Sequence, residues 1–295
     1  MSLPKLNIAI TGGTGFLGRH LVRHFVNKGD LVCCLIRPTS RTDIVAPPSN
    51  LSYYVVNEQN PNNLEQPLKD VDIIIHAATT KSNKSHPSQL VSSNVLLPLR
   101  VLEAAQDATK AFINCDTILP PERNEYAHTK YLFKQLAEKY LRENSHPLSL
   151  VHLELHRMYG PGDQSRGFIP HVIQQCLVEA SSLPLSYCEQ VRDFIFIEDV
   201  VSAFDVLVNK IRLQSPLEKQ YSLGTGNPVA LREIAETIKH ITGAKTELKY
   251  GAIAYEPNED MVTKADPQLF FNLGWEPRFT LEKGLQTTIE QFTRT

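Results

Sequence analysis

Residues 6–20 read LNIAITGGTGFLGRH, and this stretch decides the class of fold. The apolar run before the glycines is typical of a buried strand, and the residues after them have the apolar spacing of a helix that ends at Gly29. Between the two, Gly12, Gly15 and Gly18 follow a G-x-x-G-x-x-G spacing. Glycines at such a turn let backbone N–H groups approach a diphosphate, which side chains would block. The stretch therefore predicts a dinucleotide-binding turn.

Short apolar strands alternate with helices through the first half of the chain. Further strands are predicted at 31–37, 51–56, 71–78, 110–115 and 148–155, and long helices at 88–108 and 124–144. Strands that are apolar on both faces, each followed by a helix, indicate a parallel sheet covered on both sides. We expect an α/β fold in which a Rossmann doubly wound parallel sheet spans 1–157. A smaller C-terminal substrate-binding lobe would span most of 158–295, with some segments returning to the sheet domain.

Composition and charge exclude several classes of function. The 295 residues are 42% hydrophobic and carry a net charge of −2, so no basic field would attract nucleic acid or an anionic membrane. The longest apolar runs are too short to span a bilayer, and MSLPKLN lacks the apolar core of a signal peptide. The cytoplasm is therefore the expected compartment. The five cysteines show no C-x-x-C spacing, which predicts neither a disulfide framework nor a metal site.

The end of the second strand carries the residue type that separates the two nicotinamide cofactors. An acidic side chain about 20 residues past the glycines would hydrogen-bond the ribose hydroxyls of NAD. This chain has Arg37 there, with Arg41 close behind. A guanidinium suits a 2′-phosphate and offers nothing specific to two hydroxyls. We therefore expect NADP(H) to be favoured, with NAD(H) possible.

Motifs along nearly the whole chain resemble those of the extended short-chain dehydrogenase/reductase family, in its nucleotide-sugar epimerase/dehydratase branch. They are TGGTGFLG at 11–18, HAA at 76–78, Asn94, Tyr126-x-x-x-Lys130, YGPGD at 159–163, RDFIFIEDV at 192–200 and LGWEP at 273–277. YGPGD, GFIP and RDFIFIEDVV resemble in particular the CDP-abequose synthase type of 4-ketoreductase. The resemblance implies an enzyme that acts on a nucleotide sugar.

The resemblance also implies roles for individual residues. Thr117 would hydrogen-bond the reacting sugar oxygen, Tyr126 would exchange the proton, and Lys130 would bind the nicotinamide ribose and lower the pKa of the phenol. Tyr126 and Lys130 are four apart and so lie on one helical face. The segment between Thr117 and Tyr126 is shorter than in the family and is expected to reshape the substrate pocket. Cofactor contacts are implied for Gly12, Gly15, Phe16, Leu17, Gly18, Arg37, Asn57, His76, Ala77, Ala78, Tyr126 and Lys130.

Three functions stay open at this point. Sugar dehydratases of the family follow the catalytic threonine with an Asp-Glu pair, whereas Ile118 and Leu119 follow Thr117 here, so dehydration is disfavoured. Arg37 favours a net reductase that consumes NADPH, and the first expectation is reduction of a 4-keto nucleotide sugar. An NAD-dependent nucleotide-sugar 4-epimerase is the alternative. A non-catalytic, NADP-sensing regulatory protein is the second alternative.

Two arginines are expected to bind substrate. Arg192 resembles the family arginine that contacts the substrate diphosphate, although a salt bridge with Asp193 or Glu189 is the competing interpretation. Glu256 stands where the family has a second diphosphate arginine and would repel phosphate. Arg157 replaces the asparagine that usually precedes the tyrosine motif. It either supplies the missing positive charge or indicates a substrate that is not a standard nucleotide sugar.

The expected partners are a small-molecule substrate and a second copy of the chain. The helices at 88–108 and 124–144 match those that relatives pair across a two-fold axis, so the resemblance implies a homodimer. His76 matches a family position beside the cofactor and is expected to be structural. His152 and His156 lack a third ligand nearby, so no zinc site is expected there.

Overall fold

The strands predicted in the first half of the chain lie side by side in one sheet of the structure, a computed structural model. It describes residues 4–42, 48–56, 64–81, 86–105, 107–165, 167–257 and 259–293. The strands are β1 (Asn7–Thr11), β2 (Leu31–Ile36), β3 (Leu51–Val55), β4 (Ile73–His76), β5 (Ala111–Thr117), β6 (Ser149–Leu155), β7 (Arg157–Tyr159), β8 (Ser182–Pro184), β9 (Val191–Arg192), β10 (Phe194–Phe196), β11 (Gln220–Leu223), β12 (Val229–Ala230), β13 (Glu247–Lys249) and β14 (Val262–Thr263). Seven of them form a parallel sheet in the order β11-β6-β5-β4-β1-β2-β3. This order confirms the predicted doubly wound Rossmann class.

The helices alternate with the strands as the sequence predicts. They are α1 (Phe16–Asn27), α2 (Glu65–Leu68), α3 (Pro87–Val91), α4 (Leu97–Glu103), α5 (Glu125–Glu143), α6 (Phe168–Leu177), α7 (Ile197–Arg212), α8 (Leu231–Thr242), α9 (Gln268–Asn272) and α10 (Leu281–Phe292). A 3₁₀ turn at Pro121–Arg123 precedes α5. Among the described helices, none has the length and apolar character needed to cross a membrane.

The long helix expected over 88–108 is interrupted and ends earlier than predicted. A π-helical turn at Ser92–Leu96 separates α3 from α4, and α4 ends at Glu103. Pro98 lacks an N–H and its ring clashes with the carbonyl four residues earlier, which belongs to Asn94. The widened turn thus coincides with the place where a regular helix would lose a hydrogen bond. Such π turns are frequent at functional sites.

Apolar side chains from the sheet and from α5 form the core beneath the site. Phe112 on β5 and Phe133 on α5 are both 0% exposed, and their ring centroids lie 6.0 Å apart. Ile74 on β4 and Leu102 on α4 belong to the same cluster. Full burial of one such side chain contributes about 1.5–3 kcal/mol. This packing holds α5 against β4 and β5.

The chain divides into two compact units. The first comprises Met1–Glu154 with Phe204–Tyr221 and contains most of the seven-stranded sheet. The second comprises Leu155–Ala203 with Ser222–Thr295. It contains short strand pairs and triplets, among them β10 with β7 and β12 with β9 and β14. Segments that are far apart in the sequence therefore build each unit.

Candidate active site

The glycine turn after β1 has no room for side chains. Gly12 has a φ of +70°, and a Cβ atom there would lie 2.7 Å from the backbone nitrogen of Ala78. A Cβ atom on Gly18 would lie 2.0 Å from the carbonyl oxygen of Gly12. Gly15 closes the turn by donating its N–H to the Gly12 oxygen at 2.9 Å. Gly12 is therefore required where the turn packs against Ala77 and Ala78 after β4, and Gly18 is required where α1 packs against the turn.

Helix α1 begins directly after this turn. Phe16 is the first helical residue, Gly15 before it is extended, and Leu17 and Gly18 follow in the first turn. Within the described residues no side chain caps this helix start and no acidic residue lies in its first turn. N–H groups and the positive end of the helix dipole are thus available to an anion. The loop and helix start fit the diphosphate of a dinucleotide cofactor.

A buried pair ties the ends of β1 and β4 together behind the glycine turn. His76 is 0% exposed, and its Nδ1 lies 2.8 Å from Thr11 Oγ1. The same Thr11 oxygen accepts a hydrogen bond from the Ala78 N–H, while Ala77 N–H donates to the Thr11 carbonyl. Burial, and then the charge of Lys130, lower the pKa of His76 well below its ordinary value. His76 is therefore a neutral residue that orients the Ala77–Ala78 backbone. The part that Thr11 has in this contact was not predicted from the sequence.

Arg37 lies at the same edge of the sheet as the glycine turn. It directly follows β2 and is exposed, and β2 pairs with β1 so that Leu35 is opposite Thr11. The Arg37 N–H donates to Ser40 Oγ at 3.1 Å, which forms a tight turn. This position suits a guanidinium that contacts an adenosine ribose. Asn57, the other predicted cofactor residue beyond a strand end, lies outside the described residues.

The structure brings Thr117 and Tyr126 together. Thr117 is the last residue of β5, and Tyr126 lies in the first turn of α5. The side chains of Thr79 and Thr117 lie close enough to the phenol for hydrogen bonding to act on its pKa. The short segment between them turns at Pro121–Arg123, and Asn124 then caps α5 by accepting the Ala127 N–H at 2.9 Å. The shortened segment is therefore compatible with contact between the two predicted catalytic side chains.

Burial raises the pKa of Tyr126 to about 12, and the hydrogen bonds with Thr79 and Thr117 offset this only in part. The expectation that this pKa is lowered is wrong for the protein by itself. Loss of water around the phenol disfavours phenolate more strongly than the neighbouring groups favour it. The side chain is consequently a protonated phenol at neutral pH.

Lys130 lies one turn after Tyr126 and is buried, with 1% of its surface exposed. Its Nζ lies 3.5 Å from Asn114 Oδ1. Burial lowers the pKa of Lys130, whereas the nearby Asp116 and Cys115 raise it. Asn114, on β5, was not predicted. A polar residue inside a strand that is otherwise buried on both faces is the signal that could have found it.

Asn94 joins the loop after β4 to the start of α5. Its Oδ1 accepts hydrogen bonds from Thr79 Oγ1 at 3.2 Å and from the Thr80 N–H at 2.9 Å. Its Nδ2 donates to the Thr80 carbonyl at 3.0 Å and to Thr129 Oγ1 at 3.1 Å. Thr129 in turn donates to the carbonyl of Tyr126 at 2.8 Å. One buried amide in the π turn thus orients the backbone on both sides of the Tyr126 phenol.

The two predicted substrate arginines belong to the second unit. Arg192, on β9, is 2% exposed, and its guanidinium contacts the carboxylate of Glu259 and the carbonyl of Val191. Its ionic partner is therefore neither Asp193 nor Glu189. Arg157 is exposed at the start of β7, and its N–H donates to the Asp193 carbonyl at 3.3 Å.

Comparisons with known proteins agree with this arrangement. Residues 8–224 match the model of the NAD dependent epimerase/dehydratase family. CDP-abequose synthase of Salmonella muenchen is 31% identical over 95% of the chain and 95% of the relative. The CDP-abequose synthase of Salmonella typhimurium is 29% identical over 99% of the chain and 100% of the relative. The crystal structure of UDP-glucose 4-epimerase from Thermotoga maritima superimposes with a TM-score of 0.84 at 23% identity, covering 98% of this chain and 99% of that one.

Proposed function

The chain belongs to the NAD dependent epimerase/dehydratase family and is an NAD(P)-dependent sugar enzyme, and we propose that it reduces a 4-keto nucleotide sugar with NADPH. The observation that carries this proposal is the placement of Tyr126, in the first turn of α5, beside Thr117 at the end of β5, where burial keeps the phenol protonated. A phenol that keeps its proton at neutral pH is suited to donate it to a carbonyl oxygen that gains negative charge.

The reaction would use three side chains of the first unit. When bound, the nicotinamide cofactor supplies hydride to the carbonyl carbon of the sugar. Tyr126 gives its proton to the carbonyl oxygen, and Thr117 hydrogen-bonds the same oxygen. Lys130 favours the phenolate that Tyr126 becomes, because its ammonium lies one helical turn away. In the opposite direction the same groups would remove a proton from an alcohol.

The cofactor would be held by the backbone of the glycine turn and by Arg37. Gly12, Gly15 and Gly18, with the N–H groups of Phe16 and Leu17, would bind the diphosphate at the start of α1. Ala77 and Ala78 would line the turn, and Lys130 would bond the nicotinamide ribose. Arg37 would bind the 2′-phosphate of NADP(H), since a guanidinium matches phosphate geometry.

The substrate would be a sugar linked to a nucleoside diphosphate. The CDP-abequose synthases, which match nearly their whole length to this chain, support a CDP-linked sugar as the first compound to test. Arg192 and Arg157 of the second unit would contact the diphosphate, and this unit would serve as the substrate lobe. To bind phosphate, Arg192 would have to release the Glu259 carboxylate, so that one anionic partner replaces another.

NAD-dependent 4-epimerisation is the second candidate. The family is described as NAD dependent, and the matching Thermotoga maritima structure is a UDP-glucose 4-epimerase. An epimerase would return the hydride to the same sugar and would consume no cofactor. The cofactor preference and the stoichiometry of oxidation therefore separate the two reactions.

Exposed apolar side chains support the proposed homodimer. Val91 on α3 and Leu96 in the π turn are 37% and 42% exposed, and Tyr131 and Leu136 on α5 are 41% and 44% exposed. These are the two helical segments that the family resemblance places at the subunit interface. Burial of such side chains against a second copy would stabilise the pair. Leu136→Glu should then shift the mass measured by light scattering to that of a monomer.

The proposed function is tested by titrating the purified protein with NADPH and NADH and by measuring turnover. We expect tighter binding of NADPH, and a loss of about tenfold or more in its affinity in Arg37→Ala, because a charge-assisted phosphate contact is removed. Arg142→Ala, which removes an exposed arginine of α5, is the matched control. Stoichiometric oxidation of NADPH by a CDP-linked 4-keto sugar would establish the reductase. Tight NAD that survives purification, with substrate interconversion and no net oxidation, would establish the epimerase.

A further inference from the structure

A row of polar side chains is buried between α5 and the sheet, where the fold calls for apolar contact. Lys130 on α5, Asn114 on β5 and His152 on β6 are 1%, 0% and 1% exposed. Glu138, two turns after Lys130 on α5, is 45% exposed and ends the row at the surface. All four residues belong to the first unit. Buried polar groups are costly unless they bond one another, so this row calls for an explanation.

The four side chains contact one another in sequence. Lys130 Nζ lies 3.5 Å from Asn114 Oδ1. Asn114 Nδ2 lies 3.1 Å from His152 Nδ1. On the far side of the imidazole, His152 Nε2 lies 3.6 Å from Glu138 Oε1. The row therefore runs from an ammonium at one end to a carboxylate at the other.

The ammonium of Lys130 determines which atoms donate and which accept hydrogen bonds along the row. An ammonium only donates hydrogen bonds, so the Asn114 atom that faces Lys130 is the amide oxygen. The Asn114 NH₂ group then faces His152 and donates to Nδ1. His152 must in consequence be neutral with its hydrogen on Nε2. This nitrogen lies 3.6 Å from Glu138 Oε1, beyond hydrogen-bond distance, and has no hydrogen-bond partner among the described residues. Burial, with the charges of Lys134 and Lys130, lowers the pKa of His152 to about 3, which keeps the imidazole neutral.

We propose that His152 is a positioning residue that acts through Asn114. By accepting the amide N–H it holds the Asn114 oxygen against Lys130, and so keeps the ammonium charged and directed. The consequence for catalysis rests on the proposed function, because it is the Tyr126 phenolate that Lys130 would favour. The geometry of the row does not depend on the identity of the sugar or of the cofactor.

Other titratable groups face Lys130 and stay constant in the test. Those that act on it or are acted on by it are Asp116 and Cys115 from β5, His76 from β4, Lys81 from the loop after β4, and His152 from β6. Asp116 favours the ammonium, while Lys81 opposes it. Apart from His152 itself, none of these groups is replaced in the His152 variants. Asp116 Oδ2 also lies 3.9 Å from His152 Nδ1, so the difference between His152→Phe and His152→Gln, which both remove the imidazole, reports the amide contact.

The first measurement is NMR of the protein without ligands. Two-bond ¹⁵N spectra should show His152 as the neutral Nε2–H tautomer from pH 5 to 9. Lysine ¹³Cε titration, assigned with Lys130→Arg, should give a pKa for Lys130 that is about one unit lower in His152→Phe, since an acceptor held on an ammonium contributes on that scale. His152→Gln, whose side-chain oxygen can accept from Asn114, should restore the wild-type value. His240→Phe, at an exposed histidine of the second unit, is the control.

The second measurement is the pH profile of turnover. In His152→Phe, kcat should fall about tenfold with KM for the sugar unchanged, and the alkaline limb should move about one pH unit lower. The sign follows because a Lys130 with a lower pKa loses its charge at a lower pH.

The proposal is overturned by an Nδ1–H or charged His152, or by a Lys130 pKa that is the same in His152→Phe and in wild type. A wild-type protein without turnover would overturn the proposed function alone, because the NMR titrations need no substrate. If His152→Phe does not fold, the tautomer of His152 in the wild-type protein still tests the proposal.

Discussion

Thr117 lies close enough to the phenol of Tyr126 for hydrogen bonding to lower its pKa, and only the short segment 118–125 separates the two residues in the chain. The contact arises because β5 ends at Thr117 and α5 begins at Glu125, so that the two residues face each other across one turn. The spacing of Thr117 and Tyr126 in the sequence does not by itself predict this contact. The pair is the centre of the proposed chemistry, and the predictions below start from it.

Removal of the Tyr126 hydroxyl should abolish most turnover and leave cofactor binding intact. In Tyr126→Phe we expect kcat to fall by about 10²–10⁴, the usual contribution of a positioned proton donor. Thr117→Ala should have a smaller effect of about tenfold, since it removes one hydrogen bond. Tyr131→Phe changes an exposed tyrosine on the same helix and should keep full activity. A Tyr126→Phe enzyme with wild-type kcat would remove Tyr126 from the mechanism.

The buried imidazole of His152 should make the protein sensitive to acid. Its pKa is about 3 in the folded protein, compared with 6.5 for the free side chain. Its contribution to the free energy of unfolding is therefore fully present above pH 6.5 and is lost as the pH falls toward 3. His152→Gln, which has no titrating group, should show a smaller loss of stability over this range by a few kcal/mol at most (about 1.4 kcal/mol for each pKa unit). Chemical denaturation at several pH values measures the difference, and parallel curves for the two proteins would contradict it.

Replacement of Asn94 should destabilise the protein and reduce turnover together. Asn94→Ala leaves the Thr80 backbone and the Thr129 hydroxyl without their buried partner. We expect a loss of about 1–3 kcal/mol in the free energy of unfolding, the cost of unsatisfied buried polar groups. Asn144→Ala, at an exposed asparagine that bonds the Tyr140 carbonyl, should cost much less. Equal losses in the two variants would show that Asn94 does not hold the loop after β4.

The Glu259 carboxylate should compete with the substrate diphosphate for Arg192. Glu259→Gln removes the negative charge but keeps the size, so we expect KM for the nucleotide sugar to fall several-fold while kcat changes little. Arg192→Ala should raise KM, since it removes the proposed phosphate contact. Glu290→Gln removes an exposed acidic side chain of α10 in the same unit and serves as the control. If Glu259→Gln raises KM instead, the ion pair positions Arg192 for the substrate and does not compete with it.

Local sequence was sufficient for the parts of the site that depend on neighbouring residues. The strand, glycine turn and helix at 6–20 could be predicted because the turn and both elements lie within one continuous stretch. The placement of Tyr126 and Lys130 on one helical face follows from the helix repeat in the same way. The exposed position of Arg37 after β2 also followed from where an apolar run ends.

The interruption in the long helix and the ionisation of Tyr126 were not predicted correctly. The sequence suggested one helix over 88–108, whereas Pro98 and the buried amide of Asn94 are accommodated by a π turn. The phenol was expected to have a lowered pKa because only its charged neighbour could be read from the sequence. Its burial, which raises the pKa, depends on β5 and on the loop after β4 as well as on α5.

The sequence by itself determined the parallel α/β class, the dinucleotide turn and the residue types available for proton transfer, because periodicity and short-range spacing encode them. Only the tertiary structure decided which polar groups meet. Asn114 and His152 are on different strands, and Arg192 and Glu259 are far apart in the chain, yet each pair is in contact. Burial makes such contacts obligatory, since a polar group removed from water must find its partner wherever the fold places one. The proposed role of Lys130 and the ion pair of Arg192 both depend on those partners.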